Sequence, residues 1–339
     1  MQFGIFDHMD RSGEDLPQQY EDRLRLIEAY DRAGFRGYHL AEHHCTPLGL
    51  SPSPGIFLAA AAQRSKRLRL GALVFTLSLY HPLRILEEVC MLDTLSGGRL
   101  DLGIGRGISP IELGLYGVDP ATAQEIYGEV AEILSIGLTA KAIDYEGRHF
   151  RFSNVPVELR PVQNPIPRWY GAGRPETAEW AARNGINIVC NGPAGAVGEI
   201  AARFKSVWQD EGARGSEMPL VGMSRHVVVA DTDAEAEAAA REAYGQWYAH
   251  LVHLWRLNDL QIPLKFPETF DAANEGGFCF VGSPATVRDA MAAQFAEAGI
   301  SYLLCRMAFG NLPLPQVLRS VDLIEREIMP AFAAPHRAA

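Results

Sequence analysis

Cysteine, positive charge and long apolar runs are all in short supply. Cys45, Cys90, Cys190, Cys279 and Cys305 are the five thiols in 339 residues. Their number is odd and no two stand as C-x-x-C, which excludes a disulfide framework; reduced thiols in a cytoplasm are expected. Lys and Arg total 31 against 41 Asp and Glu, a net charge of −10. That balance excludes the clustered basic surface that neutralises nucleic-acid phosphates. No stretch reaches the roughly 18 apolar residues of a membrane span. The opening MQFGIFDHMDR carries Asp7 and Asp10 where a signal peptide would be apolar. Neither a nucleic acid nor a membrane is expected as partner.

With 47% hydrophobic and 21% charged residues the chain can bury a large core. One domain over 1–339 is expected, since α/β barrels of roughly 200 to over 400 residues form single domains. Short apolar runs alternate with helical periods. Phe3–Phe6, Tyr38–Leu40, Leu68–Leu79, Leu100–Ile104, Trp169–Gly171, Ile186–Cys190, Val227–Ala230 and Ile300–Cys305 read as strands. Leu16–Ala33, Ile56–Gln63, Pro82–Leu95, Ala123–Leu138, Glu176–Asn184, Val197–Glu211, Asp233–Leu254 and Leu314–Met329 read as helices. Eight β-then-α units predict a closed (β/α)8 TIM barrel, with a doubly wound open sheet as the rival. Two stretches break the alternation. Residues 145–162 read as a hairpin before the fifth strand, and 256–277, with weak periodicity, as a lid before the eighth.

Barrel active sites sit beyond the C-terminal strand ends. AEHHC, residues 41–45, lies there. Adjacent strand residues face opposite ways, so His43 and His44 do not share a metal unless the chain turns. Nor is there an H-E-x-x-H helix or ligand spacing among the other histidines. Proton handling and a plain polar strand end both remain open. LDLGIGRG, residues 100–107, runs a strand into glycines and Arg106. Such loops bring amides and a guanidinium to a phosphate, although a tight barrel turn gives the same pattern. The third Gly or Ala of a dinucleotide fingerprint is Ile108 here, and no P-loop lysine follows. GAGRPETAEWAA, residues 171–182, repeats the logic, with Arg174 and Thr177 at a helix start. Here too a capped helix is the plain alternative. There is no G-x-S-x-G elbow, and Gly282-Ser-Pro-Ala reads as a helix cap.

Taken together, AEHHCTPLGL, YHPLRILEEVCMLDTLSGGRLDLGIGRG, ETAEWAARNG, GSPATVRDAMAAQFAEAGISYLLCRMAFGN and EREIMPAF make the chain resemble the bacterial luciferase-like, flavin-dependent monooxygenases over nearly its whole length. The resemblance implies the eight-stranded barrel. It also implies reduced FMN as cosubstrate, delivered by a separate flavin reductase, and O2 as the oxidant that oxygenates a small organic substrate through a flavin peroxide. By position, His43 would be the acid/base with His44 beside it, and Glu42, His81 and Asn191 would border the flavin. Arg106, Gly107, Ile108, Gly173, Arg174 and Thr177 would serve its phosphate end, and Leu73-Val74 would be a non-proline cis peptide supporting the ring. No metal is expected.

Three positions depart from the family pattern. Gly105 stands where luciferase has a reactive thiol, Gln124 replaces a second phosphate arginine, and Gly173-Arg174 replaces an acid-serine pair. Arg174 is therefore expected to restore the lost charge. A homodimer formed by helices near the second and third strands is also implied. The alternatives are a deazaflavin-dependent hydride-transfer enzyme on the same barrel and a non-catalytic flavin-binding partner subunit.

Overall fold

The computed structural model describes residues 1–211, 217–263 and 266–333. Strands β1 (Gln2–Asp7), β2 (Gly37–Leu40) and β3 (Arg69–Ala72) alternate with helices α1 (Leu16–Ala33) and α2 (Pro54–Arg64). Next come β4 (Phe75–Thr76), α3 (Pro82–Leu95), β5 (Leu102–Gly105), α4 (Pro110–Leu115) and α5 (Ala123–Gly137). A hairpin, β6 (Ala142–Glu146) with β7 (Arg151–Pro156), precedes β8 (Arg168–Gly171), α6 (Pro175–Arg183), β9 (Asn187–Cys190) and α7 (Ala194–Glu211). The last third holds β10 (Val221–Val229), α8 (Asp233–Leu251), α9 (His253–Leu257), α10 (Phe270–Glu275) and β11 (Cys279–Gly282). It ends with α11 (Pro284–Ala298), β12 (Tyr302–Arg306) and α12 (Leu314–Leu323). Proline in the first turn opens α1, α2, α3, α6 and α11, where its missing N–H costs nothing. Gly34, at φ 83°, closes α1.

The strands form a parallel barrel in the order β3-β2-β1-β12-β10-β9-β8-β5. It closes where Leu70 bridges Leu100 and β4 pairs with β5, Phe75 opposite Ile104. Trp169, Tyr302, Leu304 and Val189 fill the interior as a packed core. At the N-terminal ends of the strands the fully buried Asp101 holds Arg36 at 2.9 Å and Arg69 at 2.7 Å. That end is committed to stability and leaves the other for chemistry.

Several elements differ from the sequence reading. The stretch Leu68–Leu79 is two strands broken by a cis peptide at Leu73-Val74, followed by a 3₁₀ turn over Leu77–Leu79. β10 starts at Val221, because Gly222, Ser224, Arg225 and His226 interrupt the apolar pattern yet are buried. An extra strand, β11, pairs with the second half of β10. The hairpin occupies Ala142–Pro156, pairing Ala142 with Pro156, so it begins before and ends short of the expected 145–162. Part of 256–277 is regular: Thr269 caps α10, and Phe270 and Ala273 are buried. Residues 264 and 265 of that stretch lie outside the described residues. Of the five thiols Cys45 is exposed and the other four are buried. Among the described residues no helix is long and apolar enough to cross a membrane.

Candidate active site

β2 delivers Glu42, His43 and His44 just past its C-terminal end, and their side chains part company. The Glu42 side chain is wholly buried and fully engaged. Its Oε1 accepts from His44 Nε2 at 2.9 Å. Its Oε2 accepts from the Thr76 amide at 3.2 Å and the Tyr80 hydroxyl at 2.9 Å. Burial first, then the Glu42 charge, pushes the Tyr80 phenol well above its ordinary pKa, so it stays a donor. The Tyr116 hydroxyl lies 2.9 Å from His44 Nδ1, so both ring nitrogens are hydrogen-bonded and the imidazole is held in place. Glu42 and His44 thus brace the segment that carries the cis peptide.

His43 turns the other way and borders two cavities. Its Nδ1 donates to Glu112 Oε1 at 3.2 Å, and Glu112 Oε2 also accepts from the His44 amide at 3.3 Å. Its Nε2 makes no hydrogen bond to any described residue. Glu112 belongs to α4, whose cap Ser109 accepts from the Glu112 amide at 3.2 Å.

The larger cavity, about 440 Å³, is lined by Glu42, His43, Leu73, Val74, Arg106, Gly107, Ile108 and Arg174, together with Phe6, Gly105, Gln124 and Tyr170. Its size suits a cofactor. The glycines answer packing as well as access. A Cβ on Gly105 would lie 2.5 Å from Val74 Cγ2, and one on Gly107, at φ 94°, 2.7 Å from Thr76 Cγ2. Arg106 is exposed, its Nε donating to the neighbouring Gly107 carbonyl at 3.3 Å. Neither Arg106 nor Arg174 takes part in an ion pair among the described residues. Gln124 and Arg174 share the lining, so an arginine is present where the replaced one is not.

Other expected residues lie elsewhere. His44 is behind the wall. Gly173 and Thr177 flank Arg174 at the start of α6 without lining the cavity. His81 caps α3 and stands edge-on to Phe150 and Phe152 of the hairpin, outside both cavities. Asn191 lines the smaller cavity, about 160 Å³, along with His8, His43, Glu112, Trp247, Phe266 and Arg306. His8 stacks on His43 with centroids 5.8 Å apart. The Trp247 indole donates to its Nδ1 at 3.4 Å. Burial, then Arg306, drives the His8 pKa well below normal, so this imidazole is neutral.

The sequence reading passed over Glu112, Tyr80, Tyr116, His8 and Arg306. Glu112 carried a signal: Ser109-Pro-Ile-Glu is a capping box. Arg306 did too, since it sits at the C-terminal end of a barrel strand.

The model of the luciferase-like monooxygenase family matches residues 1–302. The chain belongs to that family. An uncharacterised protein of Sinorhizobium fredii, y4wF, is 47% identical over 328 residues, 96% of each chain. The oxygenase component of a flavin-dependent trigonelline monooxygenase from Acinetobacter baylyi is 29% identical over 263 residues, 73% of this chain and 72% of that one. Among solved structures, monooxygenase RslO1 of Streptomyces bottropensis superposes with a TM-score of 0.88 at 26% identity, covering 98% of this luciferase-like chain and 100% of its own.

Proposed function

We propose that this chain is the oxygenase of a two-component flavin-dependent monooxygenase that uses reduced FMN and O2 to oxygenate a small organic substrate. One observation carries the reading: Arg106, Arg174 and His43 line a single cavity with the Gly105–Gly107 turn. Two arginines without carboxylate partners among the described residues fit a phosphate. Phe6, Leu73, Val74, Ile104 and Tyr170 fit an apolar ring system. Bound there, reduced flavin supplies the electrons that activate oxygen.

The chain's own residues do the rest. Arg106 and Arg174 grip the phosphate, with Gly107, Ile108, Gly173 and Thr177 beside them. Leu73 and Val74 support the ring, and Glu42 and His44 hold that support in place. His43 Nε2 gives or takes the proton, because Glu112 occupies Nδ1. The smaller cavity receives the substrate next to His43, with Phe266 as the part of the expected lid that walls it from water. The name of the Acinetobacter relative, an oxygenase component, supports a separate reductase. Exposed Ile56, Met91 and Leu95 on α2 and α3 support a homodimer through those helices, and five free thiols support a cytoplasmic setting.

Anaerobic titration with reduced FMN, followed by oxygen uptake in the presence of a flavin reductase, tests the reading. Saturable FMN binding is expected. Absence of binding overturns it, and binding of a reduced deazaflavin without oxygen uptake replaces it with hydride transfer.

A further inference from the structure

The smaller cavity holds a charge that no carboxylate answers. Arg306, the last residue of β12, is 4% exposed. Its Nη2 donates to Asn191 Oδ1 at 3.0 Å, and its Nε has no partner. Rings surround it instead of anions: the guanidinium carbon is 5.1 Å from the Phe6 centroid, 5.5 Å from Phe266 and 6.0 Å from Trp247. It forms no ion pair among the described residues. The only carboxylate among the described lining residues, Glu112, is already taken by His43 and the His44 amide.

Burial, and then the like charge of Arg225, pull the Arg306 pKa down to about 9, so the group is still cationic at neutral pH. Its imidazole neighbours yield to it. His8 and His226 are both held neutral, by burial first and by Arg306 second. Asn191 gives a carbonyl oxygen but no charge. A desolvated, unpaired guanidinium is costly to keep. Ring stacking recovers part of that cost, and a planar fork of donors recovers the remainder when a carboxylate arrives in two-bond register.

Size limits the guest. The cavity is about 160 Å³, close to the roughly 150 Å³ of an engineered apolar cavity that takes benzene. Leu48, Leu251, Leu254 and Trp255 give it apolar walls.

We infer that the substrate is a small carboxylate with a single-ring-sized apolar body, its carboxylate held by Arg306 with Asn191 behind and its body filling the cavity beside His43. The inference deepens the flavin reading and rests on it for the reaction; the binding of the acid by Arg306 stands apart from it.

Calorimetric titration of the full chain tests this, with phenylacetate, benzoate and cyclohexanecarboxylate each run against its neutral amide. At least one acid is expected to bind ten-fold or more tighter than its amide. Arg306→Gln removes that preference while leaving amide affinity within about three-fold, and Arg306→Lys keeps part of it. Equal affinities for every pair, no acid binding up to 10 mM, or a preference surviving in Arg306→Gln overturns the inference. The wild-type pairs decide the matter if the variant does not fold. FMN titration runs alongside. Flavin binding without acid preference sinks the inference alone, and acid preference without flavin binding sinks the flavin reading alone.

Discussion

His43 Nδ1 lies 3.2 Å from Glu112 Oε1, and the same carboxylate holds the His44 amide through its other oxygen. One acidic side chain thereby orients the imidazole that borders both cavities. Glu112→Gln should cut turnover by about ten-fold or more, as loss of an orienting partner commonly does, while the FMN dissociation constant stays within about two-fold. His43→Ala should cost about 10²-fold or more in oxygenation. Equal losses in turnover and flavin affinity for either variant would reassign His43 to binding.

Arg106 and Arg174 are expected to share one phosphate. Each charge-assisted contact is worth about 1.5–3 kcal/mol, so each single alanine variant should weaken FMN by about ten-fold or more. Riboflavin, which has no phosphate, should bind wild type and variants alike. If Arg174→Ala leaves FMN affinity untouched while Arg106→Ala weakens it, Arg174 does not replace the charge missing at Gln124.

Gly105 is set by packing. With its Cβ 2.5 Å from Val74 Cγ2, Gly105→Ala should destabilise the fold by about 1–3 kcal/mol. Adding Val74→Ala should recover part of that loss, read from urea midpoints. Failure of the second change to help would mean that the clash lies elsewhere.

Buried imidazoles set the acid limit. Burial pushes His39 down to about 4, and moves His8 and His226 the same way. The unfolded chain takes up a proton near 6.5, whereas folded His39 does not until about 4. The folded pKa is the lower one, so this stability is complete above pH 6.5 and is lost as pH falls. For His39 the loss is about 1.4 kcal/mol per pH unit, roughly 3 kcal/mol by the lower limit. Urea midpoints should fall between pH 6.5 and 5, where most carboxylates are still ionised. His39→Gln should make the slope shallower, and an unchanged slope would refute the assignment.

The amphipathic helices were legible in the sequence because their apolar stripes are unambiguous: α1 and α3 occupy the expected Leu16–Ala33 and Pro82–Leu95. Of α11 only the cap at Gly282-Ser-Pro-Ala was legible, since alanines spread around PATVRDAMAAQFAEA blur any stripe. β10 was half hidden because Arg225 and His226 are polar residues buried inside a strand, which a pattern of apolar residues cannot register. The site divides similarly. The glycine-arginine turns announced themselves, being local in sequence. Glu112 and Arg306 meet the histidines only once segments far apart in sequence are folded together, and Arg306 fell one residue past the expected end of its strand at Cys305. Position in the barrel, and not spacing, is what gives them a role.

Among the five cysteine thiols only Cys45 is exposed, two residues from His43. Burial raises Cys90 to about 11 and both Cys190 and Cys279 to about 12, and lifts Cys305 higher still. A maleimide dye at neutral pH therefore has a single address on the native protein. Attached there, next in sequence to Thr46 of the smaller chamber's wall, it would be a ready-made optical reporter of occupancy, with no engineered handle required.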